Sequence, residues 1–117
     1  MQLYYECLDN VLIVKLKGEL DHHVAQAIRS QLDNIISEKR TKNLIFNLKE
    51  LNFMDSSGIG VIIGRYKNIS KIGGSVAVVE VPDKVDKIFD LAGLYQIIEK
   101  YKNQKAALKS LLDEGCR

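Results

Sequence analysis

A short polar segment, Asp55-Ser56-Ser57, places one carboxylate and two hydroxyl groups at consecutive positions of the chain. An apolar segment with helical spacing follows, so these side chains are predicted to lie where a loop enters a helix. Ser and Asp are common at such a position because their side-chain oxygens accept hydrogen bonds from free backbone N–H groups. Helix capping is therefore the simplest role of the segment, and three chemical roles are weighed against it.

A serine nucleophile would need a general base and the sharp strand-to-helix turn of the G-x-S-x-G motif. Met54 and Asp55 stand two positions before the two serines, so that motif is absent. His22 and His23 are the only two histidines of the 117-residue chain, which is short for a triad scaffold. We therefore expect no catalytic residues and no enzymatic activity.

Nucleotide binding is suggested by three glycines, Gly58, Gly60 and Gly64, and by Glu80 near the end of the next predicted strand. The dinucleotide fingerprint requires a tight turn before its first glycine, whereas nine residues, 49–57, separate strand and glycine here. No P-loop motif is present. Gly60 and Gly64, four positions apart, more simply predict a helix face that approaches the sheet. A small nucleotide-binding domain stays as an alternative.

Phosphorylation of a serine in the segment is the third chemical role. The start of a helix favours negative charge, because free N–H groups and the positive end of the helix dipole lie there. A phosphate would add a charge of about −2 beside Asp55. A partner that covers it would have to bury that charge, and a loss of about 4 kcal/mol weakens binding roughly a thousandfold. Spacing alone does not choose between Ser56 and Ser57.

Composition excludes several other classes of protein. The chain has 17 basic and 15 acidic residues, so it lacks the excess of positive charge that binds nucleic acid directly. No apolar run approaches the about 20 residues that span a membrane, and the first residues do not resemble a signal peptide. Cys7 and Cys116 are too few for a disulfide framework, and His22 and His23 lack metal-ligand spacing. We expect a cytoplasmic protein without a metal or cofactor.

Predicted strands and helices alternate along the chain, and together they position the polar segment. Two period-two runs joined at Asp9-Asn10 predict an opening hairpin, in which alternation makes Cys7 a core thiol. Asp21 is the predicted N-cap of the first helix, and residues 49–55 are predicted to form a loop. Further strands are predicted at 43–48, 75–81 and 96–100, and further helices at 57–70, 82–93 and 104–114.

This order predicts an α/β fold with a mixed sheet of about four to five strands, opened by the hairpin and packed with about four helices. The pattern contains no linker and no internal repeat. We therefore expect a single domain over residues 1–117.

Three sequence motifs resemble the anti-sigma factor antagonists of the STAS domain family, and among them those of sporulation. They are GELDHH at 18–23, LNFMDSSGIG at 51–60 and GRYK at 64–67, within a similarity that covers about residues 3–112. The resemblance implies a STAS fold and a single phosphorylated serine, which falls on Ser56.

The resemblance also implies a cycle of partners. The unphosphorylated protein would bind an anti-sigma factor that is also a serine kinase and so release sigma-F. Phosphorylation of Ser56 by that kinase would end the interaction, and a PP2C-like phosphatase would restore it. A STAS antagonist of a general stress-response sigma pathway is the alternative within the family. We expect a monomer when free, without membrane or nucleic-acid contacts.

The partner-binding surface is predicted around Ser56. Glu19 and Asp21 are expected at the same end of the sheet, where they either solvate and cap the loop or meet basic residues of the kinase. Ile59 shares its helical face with apolar residues and is predicted to be partly buried. The predicted partner-binding residues are Glu19, Asp21, Asp55, Ser57, Gly58 and Ile59, with Ser56 as the phosphorylation site.

Overall fold

A computed structural model describes the backbone of residues 1–115 and the side chains of residues 1–111; Cys116 lies outside the described residues. The described chain contains six strands and four helices. The strands are β1 (Gln2–Leu8), β2 (Val11–Leu20), β3 (Asn43–Asn47), β4 (Leu51–Met54), β5 (Val76–Val79) and β6 (Glu99–Tyr101). The helices are α1 (Ala25–Glu38), α2 (Ser56–Lys71), α3 (Asp83–Leu91) and α4 (Gln104–Gly115), with a 3₁₀ turn at Leu94–Gln96.

The sheet is mixed, in the order β1-β2-β3-β5-β6. β1 pairs with β2 in antiparallel orientation, and the other pairs are parallel, which confirms the predicted α/β fold with an opening hairpin. Parallel pairing puts the carboxyl ends of β2 to β6 at one edge of the molecule. Side chains that follow these strands are therefore gathered at that edge.

β4 (Leu51–Met54) lies within the predicted loop at 49–55, so the sheet has six strands rather than the predicted four to five. β2 is ten residues long, and β3 pairs only with its first half, Val11–Lys15. β4 pairs with the last three residues of β2, Gly18–Leu20, with a register shift between Gly18 and Glu19. Only the first and last of its four residues are buried, so the period-two pattern of a strand is missing.

Two hydrophobic layers cover the sheet. The residues of β2 alternate between them, because successive side chains of a strand point to opposite faces. Helices α1, α2 and α3 pack on one face and α4 on the other. The first layer includes Leu12, Val14, Ile28, Leu32, Val61, Ile62, Val85 and Phe89, and the second includes Val11, Ile13, Ile45, Ala107 and Leu111.

β1 is an edge strand that the helices cover poorly. Only Leu3 among its residues is partly buried, and it packs against the first layer. The prediction that Cys7 is a core thiol is wrong, since Cys7 is an exposed free cysteine. Every residue of β1 except Leu3 is exposed, so the alternating sequence of this edge strand does not produce a buried face at Cys7.

The first helix begins later than predicted. α1 starts at Ala25, and Val24 in the N-cap position makes no side-chain capping bond. Asp21 instead forms the turn before the helix: its Oδ1 accepts a hydrogen bond from the His23 N–H at 2.9 Å, and its carbonyl accepts from Ala25 at 3.0 Å. Among the described residues no helix is long and apolar enough to cross a bilayer.

Candidate functional site

The polar segment lies where β4 passes into α2, at the carboxyl edge of the sheet. β4 ends at Met54, Asp55 occupies the N-cap position, and Ser56 is the first residue of α2. Ser56 is exposed, whereas Ser57 is half-buried. Of the two hydroxyl-bearing residues, Ser56 is therefore the more accessible to another protein.

Asp55, rather than either serine, caps α2. Its Oδ1 accepts hydrogen bonds from the backbone N–H groups of Ser57 at 2.9 Å and Gly58 at 3.3 Å. Its own N–H donates to the carbonyl of Leu20 at 3.4 Å, which ties the helix start to the end of β2. Since the carboxylate satisfies the first-turn N–H groups, the cap does not require the Ser56 hydroxyl.

The second oxygen of Asp55 binds the loop after β2. Oδ2 accepts a hydrogen bond from the backbone N–H of His22 at 3.1 Å and lies 3.7 Å from Nδ1 of the same residue. The rings of His22 and His23 lie with their centroids 4.0 Å apart. Asp55 thus joins the GELDHH motif to the DSSG motif, 33 positions apart in sequence.

The charge of Asp55 is fixed by these bonds. Burial raises the pKa of the carboxyl group, but hydrogen bonds from the backbone N–H groups of Gly58, Ser57 and His22, together with the nearby imidazole of His22, lower it by more. The pKa therefore lies below its ordinary value. A permanent negative charge stands beside Ser56 at neutral pH.

Gly58 is the residue that lets α2 approach the sheet. A Cβ atom at Gly58 would lie 2.6 Å from Cγ of Met54 and 2.8 Å from the carbonyl oxygen of Leu20. A Cβ at Gly60 would come no closer than 3.7 Å to Arg29, and one at Gly64 would meet nothing within 4 Å. The prediction that Gly60 and Gly64 form the approaching face is wrong, because the close contact is at the start of the helix.

The remaining predicted residues surround this helix start. Ile59 is partly buried against the first hydrophobic layer, as predicted. Glu19 belongs to the end of β2 rather than to a loop, and it is exposed, while Asp21 is half-buried. The register shift in β2 pairs Glu19 with Phe53 of β4.

Phe53 is a residue that the sequence analysis missed. It is 48% exposed beside Glu19, two positions before Asp55. The available signal was a large aromatic side chain within the predicted loop at 49–55. Because that segment was predicted to be a loop, Phe53 was not considered as part of a surface. Glu19, Asp21, His22, Phe53, Asp55 and Ser56 together are called the Ser56 surface below.

The glycines and the glutamate that suggested nucleotide binding lie on opposite faces of the sheet. Gly58, Gly60 and Gly64 are in α2, on the face of the sheet that α1 to α3 cover. Glu80 follows β5 and accepts a hydrogen bond from Asn47 at 3.0 Å, in a groove that residues of α4 also line. The structure therefore does not bring Glu80 to the glycines.

In the described part of the chain, no group of three or more His, Cys, Asp or Glu side chains is placed to hold a metal ion.

Comparison with known sequences shows a match to one protein family and similarity to several proteins of named function. The sequence model of the STAS domain matches residues 2–107. The chain is 44% identical over 111 residues to an anti-sigma F factor antagonist of Paenibacillus polymyxa, with 95% of both chains covered. It is 32% identical over 91 residues to an anti-sigma-B factor antagonist of Bacillus subtilis, which covers 78% of this chain and 82% of the relative.

Solved structures give the same fold. The unphosphorylated form of the anti-sigma factor antagonist SpoIIAA matches with a TM-score of 0.80 at 27% identity, over 93% of this chain and 96% of that one. The phosphorylated form of SpoIIAA, a Bacillus cell fate determinant, matches with a TM-score of 0.73 at 26% identity, over 93% and 99% of the two chains.

Proposed function

The chain belongs to the STAS domain family, and from this premise we propose that it is an anti-sigma factor antagonist that phosphorylation of Ser56 switches off. The observation that carries the proposal is the position of Ser56: an exposed serine at the start of α2, beside a carboxylate that already caps the helix. The serine hydroxyl is thus available to a kinase without any loss of helix capping.

The cap also determines what a phosphate on Ser56 would meet. The start of a helix ordinarily offers free N–H groups to an anion. Here the N–H groups of Ser57 and Gly58 already donate to Asp55. A phosphate on Ser56 would therefore lack these two donors and would stand beside the ionised carboxylate of Asp55. Its charge remains uncompensated on the surface.

An uncompensated phosphate is sufficient to end binding without refolding. A partner that covers Ser56 would have to remove water from a group with a charge of about −2. Several kcal/mol of desolvation is the expected cost, and about 4 kcal/mol corresponds to a thousandfold loss of affinity. The packing of α2 on the sheet can stay unchanged, because Ser56 is exposed.

The acidic residues of the Ser56 surface indicate the chemistry of the partner. Glu19 is exposed and Asp21 half-buried, and Asp55 adds a third carboxylate. We propose that basic residues of an anti-sigma factor, itself the serine kinase, meet Glu19 and Asp21, while Phe53 and Ile59 supply apolar contact. A PP2C-like phosphatase would remove the phosphate and restore binding. In this cycle the protein acts as a cytoplasmic monomer, without catalytic residues of its own.

Sigma-F is the proposed target pathway because the sigma-F relative is more similar over more of the chain. Identity is 44% over 95% of this chain for that relative, against 32% over 78% for the sigma-B relative. The second candidate is a general stress pathway, which the sigma-B relative favours. Binding of the purified protein to the anti-sigma factor of each pathway, measured side by side, separates the two.

Substitutions at the two serines test the switch. Ser56→Asp places a carboxylate at the exposed position, and we expect it to weaken binding to the anti-sigma factor about a hundredfold. Ser56→Ala removes the hydroxyl alone and should bind like the wild type. Calorimetry with the nucleotide-loaded anti-sigma factor measures both.

Ser57→Ala is the matched control in the same helical turn. It should still be phosphorylated by the kinase, and any loss of affinity, from a contact of the Ser57 hydroxyl, should be far smaller than that of Ser56→Asp. Equal affinity of the wild type and Ser56→Asp would contradict the switch.

A further inference from the structure

A groove lies on the α4 side of the sheet, at the same carboxyl edge as Ser56 but on the opposite face. Its volume is about 390 Å³, within the range of small-molecule sites. Residues of β2, β3, α4 and the segments after β3 and β5 line it. We call it the lysine groove and define it by Lys15, Lys17, Lys49, Lys105, Asn47 and Glu80.

The floor of the groove is a fixed polar network. Asn47 is only 6% exposed, and its Nδ2 donates hydrogen bonds to Oε2 of Glu80 at 3.0 Å and to Oε1 of Gln104. Its Oδ1 accepts from the backbone N–H of Lys49 at 3.1 Å. The three segments that bear these residues are thereby held together, so the floor of the groove is fixed, while the lysines around it are exposed.

Glu80 has an unusual backbone in this network. Its φ of +51° lies in the left-handed region, which residues other than glycine rarely adopt. Asp9 and Arg40 share this conformation outside the groove, so it shows a backbone held by its surroundings rather than a site by itself. Here it presents a carboxylate, a hydrogen-bond acceptor, among basic side chains.

The charge of the groove favours an anion. Four lysines line it against two glutamates, Glu50 and Glu80. Lys17 lies 3.8 Å from Glu50, whereas Lys15, Lys49 and Lys105 form no ion pair within the part of the chain that the structure describes. The first turn of α4 also borders the groove, and the positive end of its dipole adds to the attraction, although Oδ1 of Asn103 already accepts a hydrogen bond from the Ala106 N–H at 2.9 Å.

From these observations we infer that the lysine groove binds a small phosphomonoester that carries hydroxyl groups, as sugar phosphates do. The lysines suit the phosphate. The carboxylate of Glu80 repels a bare anion but accepts a hydrogen bond from a ligand hydroxyl. It therefore selects a ligand that bears both a phosphate and a hydroxyl group. The inference does not depend on the proposed function, because it rests on a different face of the sheet.

Ribose 5-phosphate is the probe for this site, with ribose and inorganic phosphate as comparators. We expect saturable chemical-shift changes at the backbone amides of Asn47, Gln104 and Lys105 in ¹H–¹⁵N spectra of the full chain, with a Kd of about 1 mM or lower. Inorganic phosphate should bind at least about tenfold more weakly and ribose not at all. Equal binding of ribose 5-phosphate and inorganic phosphate, or no saturable change, would overturn the inference.

Paired substitutions show whether the groove itself binds the probe. Lys49→Gln with Lys105→Gln removes two groove charges and should weaken ribose 5-phosphate binding at least about tenfold. Lys84→Gln with Lys87→Gln removes the same charge from exposed positions of α3 and should leave it unchanged. Equal weakening by both pairs would mean unspecific attraction and would overturn the site.

Glu80→Gln tests the selection for hydroxyl groups. It should reduce the preference for ribose 5-phosphate over inorganic phosphate, because the amide no longer repels a bare anion. A preference that stays at its wild-type value would contradict the role given to Glu80. Unchanged amide shifts of α1 and α2, which pack on the other face of the sheet, verify that each variant is folded.

Discussion

The Ser56 surface and the lysine groove lie at the same edge of one sheet, yet they are built in different ways. The Ser56 surface comes mainly from two contiguous motifs, at 18–23 and 51–60, and carries three carboxylates. The lysine groove is assembled from residues that the sequence separates by up to 90 positions, from Lys15 to Lys105, and is mainly basic. Short sequence motifs are sufficient to locate the Ser56 surface. The lysine groove exists only because the fold brings distant residues together.

The packing beneath the two regions differs as well. Gly58 sets α2 directly against Leu20 and Met54, so the Ser56 surface rests on close backbone contact. The lysine groove rests on a hydrogen-bonded asparagine and on solvated lysines. Substitutions beneath the Ser56 surface should therefore affect folding, whereas substitutions of the exposed groove lysines should affect binding alone.

The largest expected effect is at Gly58. Gly58→Ala forces a methyl group to within 2.6 Å of Met54 and 2.8 Å of a backbone carbonyl, so α2 must move. We expect the free energy of unfolding, measured in urea, to fall by about 3 kcal/mol.

Gly64→Ala is the control in the same helix. A methyl group there meets nothing within 4 Å, and alanine favours the helix, so stability should rise by about 0.5–1 kcal/mol. A loss of stability at Gly64 equal to that at Gly58 would contradict the account of how α2 is positioned.

A smaller effect is expected from pH at Asp55. The pKa of this carboxyl is lowered in the folded protein, so its ionised form stabilises the fold above the ordinary pKa of 3.8. That contribution is lost as pH falls through the lowered pKa. Asp55→Asn should therefore be less stable than the wild type at neutral pH, and the difference in free energy of unfolding should shrink below about pH 4.

Asp86→Asn serves as a comparison for this pH dependence. The pKa of Asp86 is also lowered, by hydrogen bonds from Lys100 and Tyr95, at a site remote from Ser56. It should show the same pH trend in stability but leave binding to the anti-sigma factor unchanged. A constant stability difference for Asp55→Asn across pH would contradict the role of the ionised cap.

Sequence reasoning succeeded where the pattern is local. The hairpin, the helices at 57–70 and 104–114 and the DSSG motif all follow from short-range periodicity or contiguous residues, and the STAS fold and family are confirmed. The partial burial of Ile59 followed from helical spacing.

Sequence reasoning failed where a partner strand or a neighbouring layer decides the outcome. β4 has no period-two pattern and exists because β2 extends beyond β3. Cys7 lies in an alternating sequence, but its strand is at the edge of the sheet and is almost wholly exposed. Capping by Asp55 agrees with the polar segment, but the hydrogen bond from the His22 N–H to its second oxygen joins residues 33 positions apart and depends on the fold.

The most direct measurement of the central claim compares one protein in two covalent states. The chain is incubated with its anti-sigma factor kinase and ATP, the phosphate is located by fragment mass analysis, and the affinity of each state for the nucleotide-loaded anti-sigma factor is measured. We predict a single phosphate on Ser56 and a loss of affinity of about a thousandfold, with unchanged sheet amide shifts. A phosphate on another residue, or equal affinity of the two states, would contradict the account.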